Sequence, residues 1–332
     1  MMALCHAGDG TDARQQMDKV RCEPACVTRA TLRNEPEDHC MHEAGFPAMG
    51  AEAHVVVVGA PRSFLADAIA RIDDLECMWS RFRPTSEIAR LNELGSLNVS
   101  PETAVLVTRA IEGWRFTDGW FDPTVLGDVL RAGYTRTFGD LAGAGESALT
   151  QGCGGIVVAG NHVSLPVNTG FDPGGIGKGL AADIVVRELM ERGARGACVN
   201  LGGDVAVDGV GPDGGDWTID IVHEVHAEPV ARVGLRRGAV ATSTTLRRRW
   251  NTTDGEAHHI IDPRTGAPST SPLTMATVVA GDGWVAEVLA KSLLLRADGF
   301  AAIRGTDMQA LTVDDGGRVT TSPRFEKFAR AA

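Results

Sequence analysis

The sequence predicts an α+β fold, and three features carry that prediction. Single amphipathic helical patterns are interspersed with segments that follow one another as strands, rather than alternating strictly with them. The strand-like segments are rich in β-branched residues, as in Ala53-His54-Val55-Val56-Val57-Val58, and carry turn residues between them. No internal repeat divides the chain.

Residues 1 to about 40 are polar, charged and aperiodic, so a disordered tail is expected there. The folded domain is expected over 41–325, with Met41 or Met49 as its start and Ala53 to Val58 as its first evident strand. A helix follows from about Pro61 to Ser80, with Leu65, Ile69, Ile72, Leu75 and Trp79 on one face. A second helix covers roughly Pro101 to Thr117. The stretch 140–165 is Gly-rich and reads as a loop plus a strand around Gly155-Ile156-Val157-Val158. A third helix runs from Lys178 to Arg192 and stops at Gly193. Ala197 to Leu201 reads as a buried strand, and Trp217 to Val222 alternates as a strand does.

The chain has 332 residues, 43% hydrophobic, with net charge −11. That is enough for one large domain or two intimate ones. The acidity argues against a nucleic-acid surface, and any polyanion bound here needs a local cation. No apolar run reaches the roughly 18 residues that a membrane-spanning helix requires. The N-terminus has no charged start followed by an apolar core, so a cytosolic location is expected, with export as the alternative. Seven cysteines without regular spacing fit a reducing compartment. Cys22, Cys26, Cys40 and His42 admit a zinc reading, but their spacing is loose and incidental thiols are the alternative.

The most informative stretch is Asn168-Thr169-Gly170-Phe171-Asp172-Pro173-Gly174-Gly175-Ile176-Gly177-Lys178-Gly179-Leu180-Ala181-Ala182-Asp183. Four glycines within six residues leave backbone N–H groups uncovered where a helix begins, and the helix dipole adds positive potential there. Lys178 supplies a full charge, and Asp172 is placed to accept from a ribose or a ring N–H. An ordinary tight turn before a helix is the competing reading. GKG is not the GK[ST] of a Walker loop, and no GxGxxG follows a strand.

Several separated segments together resemble the FAD:protein FMN transferase (ApbE) family. Asp172, Gly174, Lys178, Gly179 and Asp183 match its D-x-G-x-x-x-K-G-x-x-x-D segment, and Val199-Asn200-Leu201-Gly202-Gly203-Asp204 its strand ending in GGD. His258-His259-Ile260-Ile261-Asp262-Pro263-Arg264-Thr265-Gly266 is similar to its H-I-I-D-P-x-T-G signature. Trp79-Ser80-Arg81-Phe82 through Asn92 resembles its S-R-[FY] segment, and Phe121-Asp122-Pro123-Thr124-Val125 its F-D-x-T-V turn. Met49-Gly50 stands where the family has M-G-T, with Ala51 for the threonine. These matches keep family order from about residue 48 to 300.

The resemblance implies mixed or antiparallel sheets with flanking helices, an FAD cleft between two lobes, and transfer of FMN from FAD to an acceptor-protein threonine with release of AMP. It places Asp172 and Lys178 on FAD, with Gly202, Gly203 and Asp204 close to the nucleotide. Phe82 would cover a ring face, a core aromatic being the alternative. Phe121, Asp122, Met49 and Ile260 would line the same pocket, while Asp262 and Thr265 are either cofactor contacts or plain turn residues. His259, which titrates near neutrality in its unperturbed form, is a candidate base, a phosphate-orienting group or a satisfied strand-end histidine. Asp204 and Lys291 join it as candidate catalytic groups. The acceptor would carry a D-G-A-T-like motif, which this chain lacks.

The family's magnesium is held by an Asp, a Thr four residues later and a backbone carbonyl. Here those positions are Glu287, Lys291 and Gly175. A protonated lysine has no lone pair to offer a metal. Three outcomes are open: Lys291 replaces the ion, the ion shifts onto Glu287 and nearby oxygens, or the two residues form an i,i+4 surface pair. Arg236-Arg237 and Arg247-Arg248-Arg249 are either solvated faces or guides for an acidic partner or phosphate, and Ser243 agrees with a family serine of no assigned role.

Overall fold

A computed structural model describes residues 40–135, 146–252 and 255–330. The expected tail at 1–40 lies outside these residues except for its last position. So do Cys22 and Cys26 and part of the Gly-rich stretch at 140–165.

The chain opens with a hairpin, β1 (Met41–Ala48) and β2 (Ala51–Val58), and continues through α1 (Ser63–Trp79), α2 (Glu87–Leu94), β3 (Ser96–Asn98), α3 (Pro101–Phe116) and α4 (Leu126–Arg131). Two short strands, β4 (Val157–Ala159) and β5 (His162–Ser164), precede α5 (Gly177–Glu191). Then come β6 (Gly196–Leu201), β7 (Asp204–Gly209), β8 (Trp217–Ile221), β9 (Ala231–Leu235) and β10 (Gly238–Thr244). β11 (Arg249–Thr252), β12 (Gly255–His258), β13 (Ile261–Asp262), β14 (Ala267–Pro268) and β15 (Leu273–Ala280) lead into α6 (Gly283–Arg296), followed by β16 (Gln309–Asp314) and β17 (Val319–Thr321).

Eight strands form one antiparallel sheet in the order β1-β2-β6-β7-β10-β15-β16-β17. This is the α+β class expected. Both faces of the sheet are covered. Val55, Val57, Val199, Ala206, Ala241 and Val278 pack under the helices, while Val56, Val58, Val207, Val240 and Val279 pack under the β8–β9 hairpin and Phe325. A doubly covered strand buries both of its alternating sets of side chains, which is why Val55 to Val58 is continuously apolar.

The strand at 53–58 begins two residues earlier than expected, at Ala51, and it is not the first of the fold. β1 lies outside it, paired residue for residue from Met41↔Val58 to Ala48↔Ala51. Gly45 and Pro47 lower its strand propensity, and both are tolerated because β1 is an edge. Met49 and Gly50, at φ 50° and 69°, are the two left-handed residues of a tight hairpin turn.

α6 is buried on nearly all sides, with Ala286, Val288, Leu289, Ala290, Leu293 and Leu294 at most 2% exposed. It crosses α5 at two glycines. A β-carbon on Gly179 would collide with the Gly283 carbonyl, and one on Gly283 would meet the Gly179 oxygen at 2.7 Å. Asp183 of α5 then accepts hydrogen bonds from the Gly283 and Trp284 amides, at 2.7 and 3.0 Å, and caps the start of α6. The last glycine and the last aspartate of the Gly-rich segment therefore hold two helices together.

Candidate active site

The glycines before α5 do not leave an open row of amides. Gly174 N–H donates to Asp172 Oδ1 (2.8 Å), Gly177 N–H to the Pro173 carbonyl (2.8 Å) and Gly179 N–H to Glu287 Oε2 (2.8 Å). The anion at the N-terminus of α5 is thus a carboxylate of the protein itself, brought from α6. This corrects the expectation that these amides stand uncovered for a phosphate.

Glu287 is 3% exposed and Asp204 2%. Lys178 Nζ bridges them, 2.8 Å from Glu287 Oε1 and in direct contact with Asp204 Oδ2. Burial disfavours the Lys178 ammonium, but the two carboxylates outweigh it and raise its pKa. Burial pushes the Asp204 carboxyl up, opposed by Lys178 and reinforced by Glu287. Asp204 Oδ1 is buried without a partner. Gly202 and Gly203, at φ 67° and 101°, make the turn that delivers Asp204, and the Asn200 side chain holds the Gly203 amide at 2.9 Å.

The surface pair of Glu287 with Lys291, one of the three open outcomes, does not form. Glu287 is committed to α5, because α6 is a core helix and its carboxylate faces Lys178 rather than solvent. Lys291 instead packs against the Gly175 backbone, where a β-carbon would collide with Nζ and stand 3.0 Å from the Phe121 ring. Glycine at 175 is what admits the ammonium. Burial is the main cause lowering the Lys291 pKa, with Lys178 acting in the same direction and Glu287, Asp172 and Asp204 opposing.

Two cavities meet here. One of about 480 Å³ is lined by Met49, Phe82, Trp120, Phe121, Asp122 and Tyr134 among others; one of about 1150 Å³ includes Gly202, Gly203, Asp204, Ser243, Ile260 and Glu287. Gly50, Gly174, Lys178, Arg248, His259 and Lys291 line both, so the junction is a throat carrying three cationic side chains.

Phe82 is 38% exposed, which removes the core-aromatic alternative. It stands edge-on to Tyr134 (5.9 Å), and Tyr134 stacks on Trp250 (5.7 Å). Arg81 lies over both Phe82 and Tyr134 and reaches Asp172 at 3.4 Å. Asp172 is therefore held by Arg81 and the Gly174 amide. Phe121 is buried, and burial raises the pKa of Asp122, which accepts from the Thr124 amide at 2.7 Å.

His259 enters the throat with Nδ1 buried and unpartnered. Its pKa is held well below the usual histidine value by burial first, then by Arg248, Lys291, His258 and Lys178. That environment favours the neutral ring. The satisfied histidine of this pair is His258, whose Nε2 contacts the Ser269 carbonyl at 3.1 Å. Asp262 and Thr265 line neither cavity. Asp262 pairs with Arg264 at 2.7 Å and its carbonyl accepts from the Thr265 and Gly266 amides, which makes them turn residues that follow Ile260.

Tyr134, Trp120, Trp250 and Arg248 were not singled out individually by sequence. Of the basic clusters, Arg236, Arg237 and Arg249 contact neighbouring surface carbonyls or carboxylates, as solvated faces do, while Arg247 pairs with Glu224 at the wall of the wider cavity. Only Arg248 turns into the throat, and it also donates to the Gly50 carbonyl at 3.0 Å. Cys40 donates to the Ala60 carbonyl at 3.2 Å. No three His, Cys, Asp or Glu side chains gather as a metal site among the described residues.

Magnesium requires several hard oxygen donors in near-octahedral array. Glu287 and Asp204 both grip Lys178, Asp172 is held by Arg81 and the Gly174 amide, and the position four residues after Glu287 offers an ammonium in place of a hydroxyl. The residues present do not fit the ion.

The chain has relatives both in sequence and in fold. The chain is similar to the FAD:protein FMN transferase of Vibrio cholerae, 26% identical over 312 residues covering 87% of this chain and 92% of that protein. It is also similar to the enzyme of the same name from Salmonella typhimurium, 25% identical over 350 residues covering 94% and 98%. Among solved structures, the ApbE protein of Thermotoga maritima superposes with a TM-score of 0.79 at 25% identity, over 88% of this chain and all of that one. The flavin transferase ApbE of Vibrio cholerae shares the fold with a TM-score of 0.74 at 24% identity, over 87% and 99%. A sequence model of the ApbE family matches residues 49–312, a span that holds both cavities and every throat residue, and the chain belongs to that family.

Proposed function

We propose that the chain transfers FMN from FAD to a threonine hydroxyl of an acceptor flavoprotein, forming a phosphoester and releasing AMP. The observation that supports this reading best is the meeting of an aromatic cavity and a wider one at a cationic throat. The aromatic cavity suits an isoalloxazine ring, with Phe82 free to cover one face. Lys178, Lys291 and Arg248 suit two linked phosphates, and the wider cavity has room for the rest of the nucleotide and an acceptor segment.

Phosphoryl transfer of this kind rests on positioning and charge stabilisation more than on covalent work by the protein. Asp204 and Glu287 fix the Lys178 ammonium at the throat. Asp172, held by Arg81, faces the aromatic cavity as an acceptor for ring or ribose donors. His259 is assigned to take the acceptor hydroxyl proton on its unpartnered Nδ1, since a neutral imidazole within a cationic throat gains basicity once phosphates offset the cations. Asp262 and Thr265 build the turn that sets the position of His259 and Ile260.

The test mixes the full chain, FAD and an acceptor domain bearing a D-G-A-T motif, and reads intact mass. Addition of one FMN to the acceptor supports the reading. Stoichiometric free FMN and AMP without acceptor would mean hydrolysis instead, and FAD bound without AMP release would mean a binding protein.

A further inference from the structure

Lys291 makes no hydrogen bond or ion pair with any described residue, although it sits in a largely buried throat beside the paired Lys178. An ammonium in that position is costly unless an anion arrives to meet it. Its Nζ packs against Gly175, so three positions that the family resemblance links to a metal are brought together with a cation already among them. Glu287 and Asp204 each give an oxygen to Lys178, Asp172 is held by Arg81 and the Gly174 amide, and Asp204 Oδ1 alone is left without a partner. A divalent ion placed between Glu287 and Gly175 would be repelled by Lys291 and Lys178 together.

We propose that the Lys291 ammonium stands in for the divalent ion, binding the pyrophosphate of FAD directly, so that FMN transfer by this chain needs no metal. The inference rests on the transferase reading and adds to it the source of positive charge. In the step, the acceptor hydroxyl oxygen bonds to the flavin-side phosphorus, and the bond from that phosphorus to the bridging oxygen breaks. The electron pair stays on the AMP phosphate, whose developing charge Lys291 neutralises, while the hydroxyl proton passes to His259. One acceptor hydroxyl and one FAD give one flavinylated acceptor, one AMP and one proton.

The experiment has two readouts on the full chain. Transfer to the D-G-A-T acceptor is measured in EDTA and in magnesium, and Mn²⁺ binding in the presence of FAD is followed by electron paramagnetic resonance. Rates within about twofold of each other in the two buffers are expected, with no protein-dependent loss of the free Mn²⁺ signal. Lys291→Met should lower the rate by about 100-fold, the usual scale for removing one charge-stabilising group, and should weaken FAD binding. Lys291→Thr with magnesium should recover metal-dependent transfer that Lys291→Met does not. Stoichiometric Mn²⁺ binding by the wild-type chain, or transfer abolished by EDTA, overturns the inference while leaving the transferase reading intact. Absence of transfer in both buffers, with acceptor and FAD present, overturns the reading and the inference with it.

Discussion

Phe82 shows what a single side chain can reveal that its motif does not. The S-R-F pattern marked the position, yet the choice between a ring cover and a core aromatic waited on its exposure, 38% against 2% for Phe121. An aromatic that packs on one side and is open on the other has little folding work to lose. Phe82→Ala should therefore leave the melting temperature within about 2 °C and raise the FAD dissociation constant roughly 5- to 100-fold, the range of a lost base- or ring-stacking contact. Equilibrium binding followed by flavin fluorescence measures it, and an unchanged constant would remove Phe82 from the ring site. Lys178 and Asp204 were legible because short motifs carry them. The ion pair of Lys178 with Glu287 was not, since that residue lies 109 positions beyond Lys178 and no local pattern joins them. Arg248 was visible as one of three adjacent arginines, and nothing in the run distinguished it from its neighbours.

The α5–α6 pair turns a ligand-like motif into a structural joint. Gly179 and Gly283 bring the helix backbones into contact, and Asp183 bonds to the first amides of α6 from across the joint. Glu287 returns the contact by meeting the Gly179 amide of α5. Helix periodicity located α5 to within a residue at each end; it could not show that the glycines serve close helix approach. Burial pushes the Asp183 carboxyl from an ordinary 3.8 up to about 7. The native state thus favours the protonated form, and this group's contribution to stability is fully present below about pH 4 and is lost as pH rises through 7. Asp183→Asn, neutral throughout, should gain melting temperature relative to wild type as pH rises from 4 to 7. Parallel pH profiles for the two proteins would show that the helix amides, rather than burial, govern this carboxyl.

The whole sheet has its own logic. Covering both faces leaves the edge strands as the places where backbone can go unpaired, and among the described residues β1 is one of them. Its alternation of exposed and half-buried residues, with Gly45 and Pro47 inside, gives a weak strand signal. By contrast, the doubly buried β2 is plain in the sequence. A chain beginning at Met49 would lack β1 and present the unpaired β2 edge to solvent. It should melt at least about 5 °C lower and associate at concentrations where the full chain stays monodisperse. Scanning calorimetry and light scattering check both, and an unchanged melt would mean that β1 contributes nothing to the sheet.

The guanidinium of Arg248 belongs at once to the throat and, through the Gly50 carbonyl, to the tip of the first hairpin. An anion entering the throat competes for one of the two groups that hold this tip, the other being the Glu76 carboxylate on the Met49 amide. Occupancy at the centre of the molecule and tautness at its margin are thereby tied through one shared donor. Amide exchange at Met49 and Gly50 would report the binding event without any probe on the ligand.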